Sequence, residues 1–235
     1  MLKTIAAIRR RAGMSNAAFR RYYHDVHGAL AAREPLGVQL YVQNHVVDGV
    51  YGTHTDAAVL TGTPRDGVTE LSFADPAAMA QTFAHPYVRD ILGPDGTKFS
   101  DMPTAISLVV RVEGEAPPIV AGRKKALWFL KAADGADPEA FDEAWRSADA
   151  ASVGAVATLR NHRIRFPAGQ DPADYFGGPD SLRYDGVHSV WWDADDALAA
   201  MEAYVDAVAP AFGDRLDRSR SFWVLAQEVE IFRAG

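Results

Sequence analysis

The chain contains no cysteine. That removes disulfides, thiolate metal sites, iron–sulfur clusters and cysteine nucleophiles together, and it agrees with a reducing compartment. Clustered positive charge is also scarce: the net charge is -7, and no Lys/Arg run is longer than Arg9-Arg10-Arg11. No basic surface is left to release counterions from a phosphate backbone, so nucleic-acid binding is set aside. No stretch approaches the roughly 18 apolar residues that span a bilayer, and the three arginines come too early for a signal peptide's apolar core. A cytoplasmic location is the expectation. There is no Gly-rich phosphate loop after a strand, no Gly-x-Ser-x-Gly and no nucleophile with a sequence-adjacent base, which argues against nucleotide cofactors and serine hydrolysis.

What is present is 235 residues of ordinary globular make-up, 48% hydrophobic and 23% charged, enough for one large domain or two small ones. An internal repeat sets the organisation. Phe19 precedes Gln43-Asn44-His45 and then Asp66-Gly67-Val68; Phe141 precedes Arg160-Asn161-His162 and then Asp185-Gly186-Val187. Residues 1–113 and 124–235 therefore read as two copies of one unit. Residues 114–123, opening on Gly114-Glu115-Ala116-Pro117-Pro118, read as the linker, because a proline pair continues neither a strand nor a helix.

In the first copy, strands are predicted near Leu2–Arg9, Val38–Val47, Val68–Phe73 and Ala105–Val112. A helix runs from the N-cap Ser15 to about Arg33, and another lies between Pro76 and Pro86. The second copy repeats the pattern, with strands near Ala126–Ala132, Val156–Phe166, Val187–Trp192 and Phe222–Phe232 and helices near Pro138–Ala151 and Ala194–Ala211. The order βαββαβ is that of a ferredoxin-like unit, an antiparallel sheet with helices on one face. Its other face is apolar, so two copies should pack sheet to sheet, helices outside, as one α+β barrel.

Strand parity locates the polar groups. On the second strand Val38, Leu40, Val42, Asn44 and Val46 share one face, while Tyr41, Gln43 and His45 share the other. On the third strand Thr69, Leu71 and Phe73 oppose Val68, Glu70 and Ser72. Assigning the apolar sets to the dry barrel leaves Tyr41, Gln43, His45, Glu70 and Ser72 facing the helices. Such groups are costly there unless partnered or wet, which implies a polar cavity between sheet and helix. At about 100° per residue, and with Phe19 as zero, Tyr23 lies near 40°, His27 near 80° and His24 near 140°. His27 thus sits at the edge of the buried stripe and His24 leans to solvent.

These residues also carry a resemblance. The run Phe19-Arg20-Arg21-Tyr22-Tyr23-His24-Asp25-Val26-His27-Gly28-Ala29-Leu30, then Tyr41-Val42-Gln43-Asn44-His45-Val46, then Asp66-Gly67-Val68-Thr69-Glu70-Leu71, resembles the EthD domain family of the dimeric α+β barrel superfamily. Ala29 departs from the family's usual His-Gly-Pro-Leu. The resemblance implies a ligand cavity between sheet and helices, pairing of units as homodimers, and cofactor-free dehydratase, cyclase or isomerase chemistry on aromatic or polyketide-like molecules. A tandem chain looks like that dimer fused, giving a monomer as pseudo-dimer, or a homodimer of such chains.

The expected site follows. His27, His45 and Glu70 are the candidate catalytic groups, with Tyr41, Gln43, Tyr23 and Ser72 around the substrate. A base near neutrality and an acid for the developing oxyanion suffice for such a lyase or isomerase. A cofactor-free monooxygenase and a non-enzymatic small-ligand binding or stress-response protein are the alternatives. His24, Asn44, Tyr22, His85 and His188 read as surface or structural residues, and His54 falls in the insertion from Tyr51 to Arg65, read as a lid. No metal is expected, since His24 and His27 point apart and no further chelating element supports them. Nor is a cofactor, because no residue distinguishes an axial ligand for the haem bound elsewhere in the superfamily. His27 aligns with Asp149 and Glu70 with Ser189, so one site, in the first copy, is expected.

Overall fold

The computed structural model describes residues 1–51, 64–148, 154–167, 169–177, 182–193 and 196–234. His54 and Asp149 lie outside them. The strands are β1 (Leu2–Ile8), β2 (Val38–Val50), β3 (Gly67–Phe73), β4 (Ile106–Glu113), β5 (Lys124–Leu130), β6 (Ala157–Arg163), β7 (Gly186–Trp192) and β8 (Phe222–Arg233). All pairings are antiparallel. They close into a barrel in the order β1-β3-β2-β8-β5-β7-β6-β4, so each described strand has a partner on both sides.

Helix α1, residues 16–33, begins where Ser15 Oγ accepts the backbone N–H of Ala18 at 3.1 Å, satisfying one of the orphan donors of the first turn. Its middle, Tyr22–Gly28, is π-helical. Helix α2 (Pro76–Ala84) is capped by Asp75, with proline in its first turn, where a missing N–H costs nothing. Helix α3, residues 88–99, joins a π-helical Val88–Leu92 to Gly93–Phe99. Helices α4 (Pro138–Ala148) and α5 (Ala197–Val208) follow β5 and β7.

Side chains alternate between lumen and helices. Ile5, Val46, Val68, Leu108, Leu127, Phe129, Val187 and Phe222 form one apolar cluster spanning both halves of the chain, which is the barrel's interior. Phe129 and Phe222 stack there with centroids 4.7 Å apart. Outside the barrel, Phe19, Tyr23 and Phe99 pack with Ile8 under α1 and α3, while Trp145, Met201, Tyr204 and Phe212 fill the space under α4 and α5. Among the described residues no helix is long and apolar enough to cross a membrane.

Two details differ from the sequence reading. A register shift between Val38 and Leu40 inserts a bulge, so Val38 packs with Tyr41 and Phe73 on the helix side instead of with Val42. The parity expected of β3 is reversed: Thr69 turns to the helices, and Glu70 and Ser72 turn into the barrel. The physical reason lies on other strands. Lys3 Nζ is 2.9 Å from Glu70 Oε2, and Lys125 Nζ bonds Glu70 Oε1 and, at 3.0 Å, Glu228 Oε1. Asn44 Nδ2 adds a bond to Glu70 Oε1 at 2.9 Å. A carboxylate thus partnered is tolerated in the lumen. Burial raises the Glu70 carboxyl's pKa, but Lys125 and Lys3 outweigh it and hold the group well below the usual carboxylate range.

Candidate functional site

A cavity of about 100 Å³ opens between the outer face of the first-half strands and helices α1, α2 and α3. Its polar end is formed by His27, Tyr23, Tyr41 and Thr69, and its apolar wall by groups such as Leu71, Phe83, Phe99 and Phe232. By the roughly 10–15 Å³ that one water needs in this measure, the space suits a compact one- or two-ring molecule. No group of three or more metal-ligating side chains occurs among the described residues.

His27 reaches this cavity through the π-helical stretch. Such a helix winds more slowly than an α-helix, with i→i+5 bonding, so His27 falls closer to Tyr23 than the 100° spacing predicts. Its Nδ1 lies 2.9 Å from Asp95 Oδ2, and its ring packs on Phe99 with centroids 4.9 Å apart. Asp95 is 3% exposed. Its other oxygen accepts the Tyr22 hydroxyl at 2.8 Å and faces Lys98 Nζ at 3.2 Å. A carboxylate on Nδ1 assigns the proton to that nitrogen and leaves Nε2 as the lone-pair nitrogen. Burial pushes the imidazole's pKa below its ordinary 6.5, against the hydrogen bond and charge of Asp95 that favour the imidazolium. Burial likewise raises the Asp95 carboxyl, but the hydrogen bonds from His27, Tyr22 and Lys98 prevail and hold it low. Tyr22 is pushed up to about 12 by burial and by Asp95.

The facing groups come from β2 and β3. Gln43, fully buried, donates from Nε2 to the Tyr41 hydroxyl at 2.9 Å and to the Tyr23 carbonyl at 2.7 Å, tying β2 to the π-helical turn. Tyr41 Oη therefore accepts from Gln43 and keeps its own proton to donate. The Tyr23 hydroxyl pairs with Thr69 Oγ1 at 2.7 Å. Burial raises both phenols well above their ordinary value of 10, so they stay protonated donors. At the rim Leu36 holds φ +52°, the left-handed region that costs a non-glycine residue roughly 1–2 kcal/mol.

The sequence-selected residues divide. His27, Tyr23 and Tyr41 line the cavity together. Gln43 lies behind Tyr41. His45 stacks on Tyr23 at 5.5 Å and donates from Nε2 to Gln43 Oε1 at 3.1 Å, outside the cavity wall. Burial, then the charges of His24 and Arg20, lower it to about 4, far from a base poised near neutrality. Glu70 and Ser72 are on the lumen side and do not reach the cavity. Asp95, Thr69 and Tyr175 are the groups that sequence reasoning missed. Asp95 sits in Gly93-Pro94-Asp95-Gly96, whose composition signals a turn, although the chain is helical there. His188 is held between Trp145 Nε1 at 2.6 Å and the Tyr204 hydroxyl at 2.9 Å, a satisfied core histidine.

An eight-stranded antiparallel barrel, helices outside and a cavity beneath them, is an architecture of the dimeric α+β barrel class. Residues 11–103 match the EthD domain. The fold is shared with an anthrone oxidase-like protein (TM-score 0.59, 8% identity, covering 100% of this chain and 96% of that one). It is also shared with chlorite dismutase from Candidatus Nitrospira defluvii in complex with imidazole (TM-score 0.54, 10% identity, 98% and 91%). A third similar structure is a monooxygenase candidate from Lactobacillus acidophilus NCFM (TM-score 0.52, 12% identity, 99% and 95%). No curated protein matches the sequence significantly. At these identities the likeness is one of fold.

Proposed function

We propose that the protein is a cofactor-independent lyase or isomerase, of dehydratase or cyclase type, that works by histidine acid–base chemistry on a hydrophobic oxygenated ring molecule. The observation that carries this reading is the His27 Nδ1 to Asp95 Oδ2 hydrogen bond, 2.9 Å, in the wall of an apolar cavity. Nε2 of the neutral imidazole takes a proton from the carbon α to a carbonyl. The C–H electron pair moves into the ring system and the carbonyl oxygen becomes an enolate. The Tyr41 proton, directed away from Gln43, supports that oxygen. Collapse of the enolate expels a β-hydroxyl, which leaves as water with the proton held on His27. In an isomerase the same proton returns to another carbon. A positioned base of this kind contributes roughly 10²–10⁴-fold.

A test needs no native substrate. In D₂O the protein should catalyse deuterium uptake at the α carbon of 1-tetralone, read by mass spectrometry, and His27→Asn should lose it. No exchange above buffer by the intact protein would sink the acid–base reading. The monooxygenase alternative draws on the anthrone oxidase-like and monooxygenase-candidate folds; oxygen consumption with the two-ring phenol 1-naphthol, absent under the lyase reading, would favour it.

The same proposal treats residues 1–113 and 124–235 as two copies, of which the first bears the site. Strand order supports it, running β4-β1-β3-β2 in one half and β8-β5-β7-β6 in the other. So do Asn44 and Asn161, which donate to the carbonyls of Val68 and Val187 at 3.0 and 2.8 Å. Where the first half has its cavity, the second is filled by Trp145 and its neighbours.

A further inference from the structure

We infer that the cavity selects its ligand by charge: it takes a neutral phenol, ketone or lactone of one or two rings and rejects the carboxylated analogue of the same shape. This rests on the proposed site and narrows its substrate class. Apart from tyrosines, the ionisable groups in the cavity wall are His27 and, at the rim, Glu34. Behind His27 stands the Asp95 carboxylate, held ionised by its three donors. Lys98 approaches Asp95 but does not line the cavity.

An anionic ligand would therefore leave water for a mostly apolar space with the Glu34 carboxylate in its wall and Asp95 behind His27, and with no lining cation among the described residues to meet it. Desolvating a charge without a partner is costly, and like charges add to that cost at low effective dielectric. The imidazole offers little relief, because burial already disfavours its protonation. A neutral oxygen, by contrast, meets groups suited to it. Tyr41 donates, His27 Nε2 accepts, and Phe83, Phe99 and Phe232 offer a ring apolar contact.

Two probes of one shape test this: 2-naphthol and 2-naphthoate, titrated calorimetrically at neutral pH. The expected result is that 2-naphthol binds at least tenfold more tightly, and that it shifts imidazole NMR signals that disappear in His27→Asn. In Glu34→Lys, at the half-exposed rim, naphthoate should gain affinity while naphthol changes less than threefold. Equal or tighter naphthoate binding by the unmodified protein would overturn the inference, as would binding of neither probe or failure of Glu34→Lys to strengthen naphthoate. The affinity ratio is independent of turnover. A protein that exchanges no α-proton yet shows this ratio would lose the catalytic reading and keep the charge filter.

Discussion

Asp95 and His27 are 68 residues apart in sequence, and Asp95 Oδ2 lies 2.9 Å from His27 Nδ1 across the gap between α3 and α1. Both partners belong to helices with a π-helical turn, where irregular winding is frequently tied to function.

The dyad predicts a pH profile. The active form of His27 is neutral and its pKa lies below 6.5, so turnover should persist as pH falls through 6.5 and be lost only lower. Asp95 favours the imidazolium, so Asp95→Asn should move that acid limb to still lower pH while reducing the plateau. Rate against pH for the two proteins checks this; a limb displaced upward would contradict it. His27→Asn should cost roughly 10²–10⁴-fold in turnover.

His45 predicts a dependence of stability on pH. Its folded pKa is about 4 against about 6.5 unfolded. Between these values the unfolded chain binds a proton that the native chain does not, so stability falls as pH drops through that window. Urea unfolding at intervals across it should show a shallower fall in His45→Phe, which keeps the ring contact with Tyr23. Parallel slopes would refute the assignment.

Glu70 should matter for folding and not for chemistry. Glu70→Gln leaves Lys3 and Lys125 short of a buried counter-charge, which costs on the order of 3–5 kcal/mol. Activity per folded molecule should stay within a factor of two or so, since the side chain points away from the cavity. Paired chemical denaturation and turnover measurements separate the outcomes, and a large loss of turnover at unchanged stability would restore a catalytic role.

Tyr175 belongs to the short turn Asp174–Gly177 of the second half, yet it lines the first half's cavity and packs on Phe83 with centroids 5.2 Å apart. A Cβ at Gly93 would fall 2.6 Å from its hydroxyl. Tyr175→Ala should admit a three-ring probe such as anthrone that the parent excludes, and Gly93→Ala should do so in part by displacing the phenol. Unchanged probe size limits in both variants would show that this ring does not bound the cavity.

Much of the fold was legible because alternation is a local signal. The strands of both halves and the start of α1 at Ser15 follow from apolar parity and capping. On β2 the outward set Tyr41, Gln43 and His45 was also readable, because Val42 and Val46 opposite them are plainly core residues. The inner face of β3 was not. Parity sorts side chains by their own polarity, and the amines that stabilise Glu70 come from β1 and β5, which no local pattern joins to it. Asp95 escaped notice for a different reason: Gly93, Pro94 and Gly96 weigh against a helix, and only burial of Gly96 and Phe99 against neighbouring elements overrides that propensity.

The π-helical turn at Tyr22–Gly28 makes the site sensitive to residue count as well as to residue type. A π turn holds about one residue more than an α turn. Deleting one surface position there, such as Asp25, would let the helix relax to regular winding without changing any of the cavity's own side chains. The lost residue is the one the π turn holds in excess, so the helix beyond Gly28 would keep its phase, while His27, now three α-helical residues after Tyr23, would turn by some tens of degrees away from Asp95. Lineages of this fold can thus acquire or discard the dyad through a single-codon insertion or deletion, leaving the barrel beneath untouched.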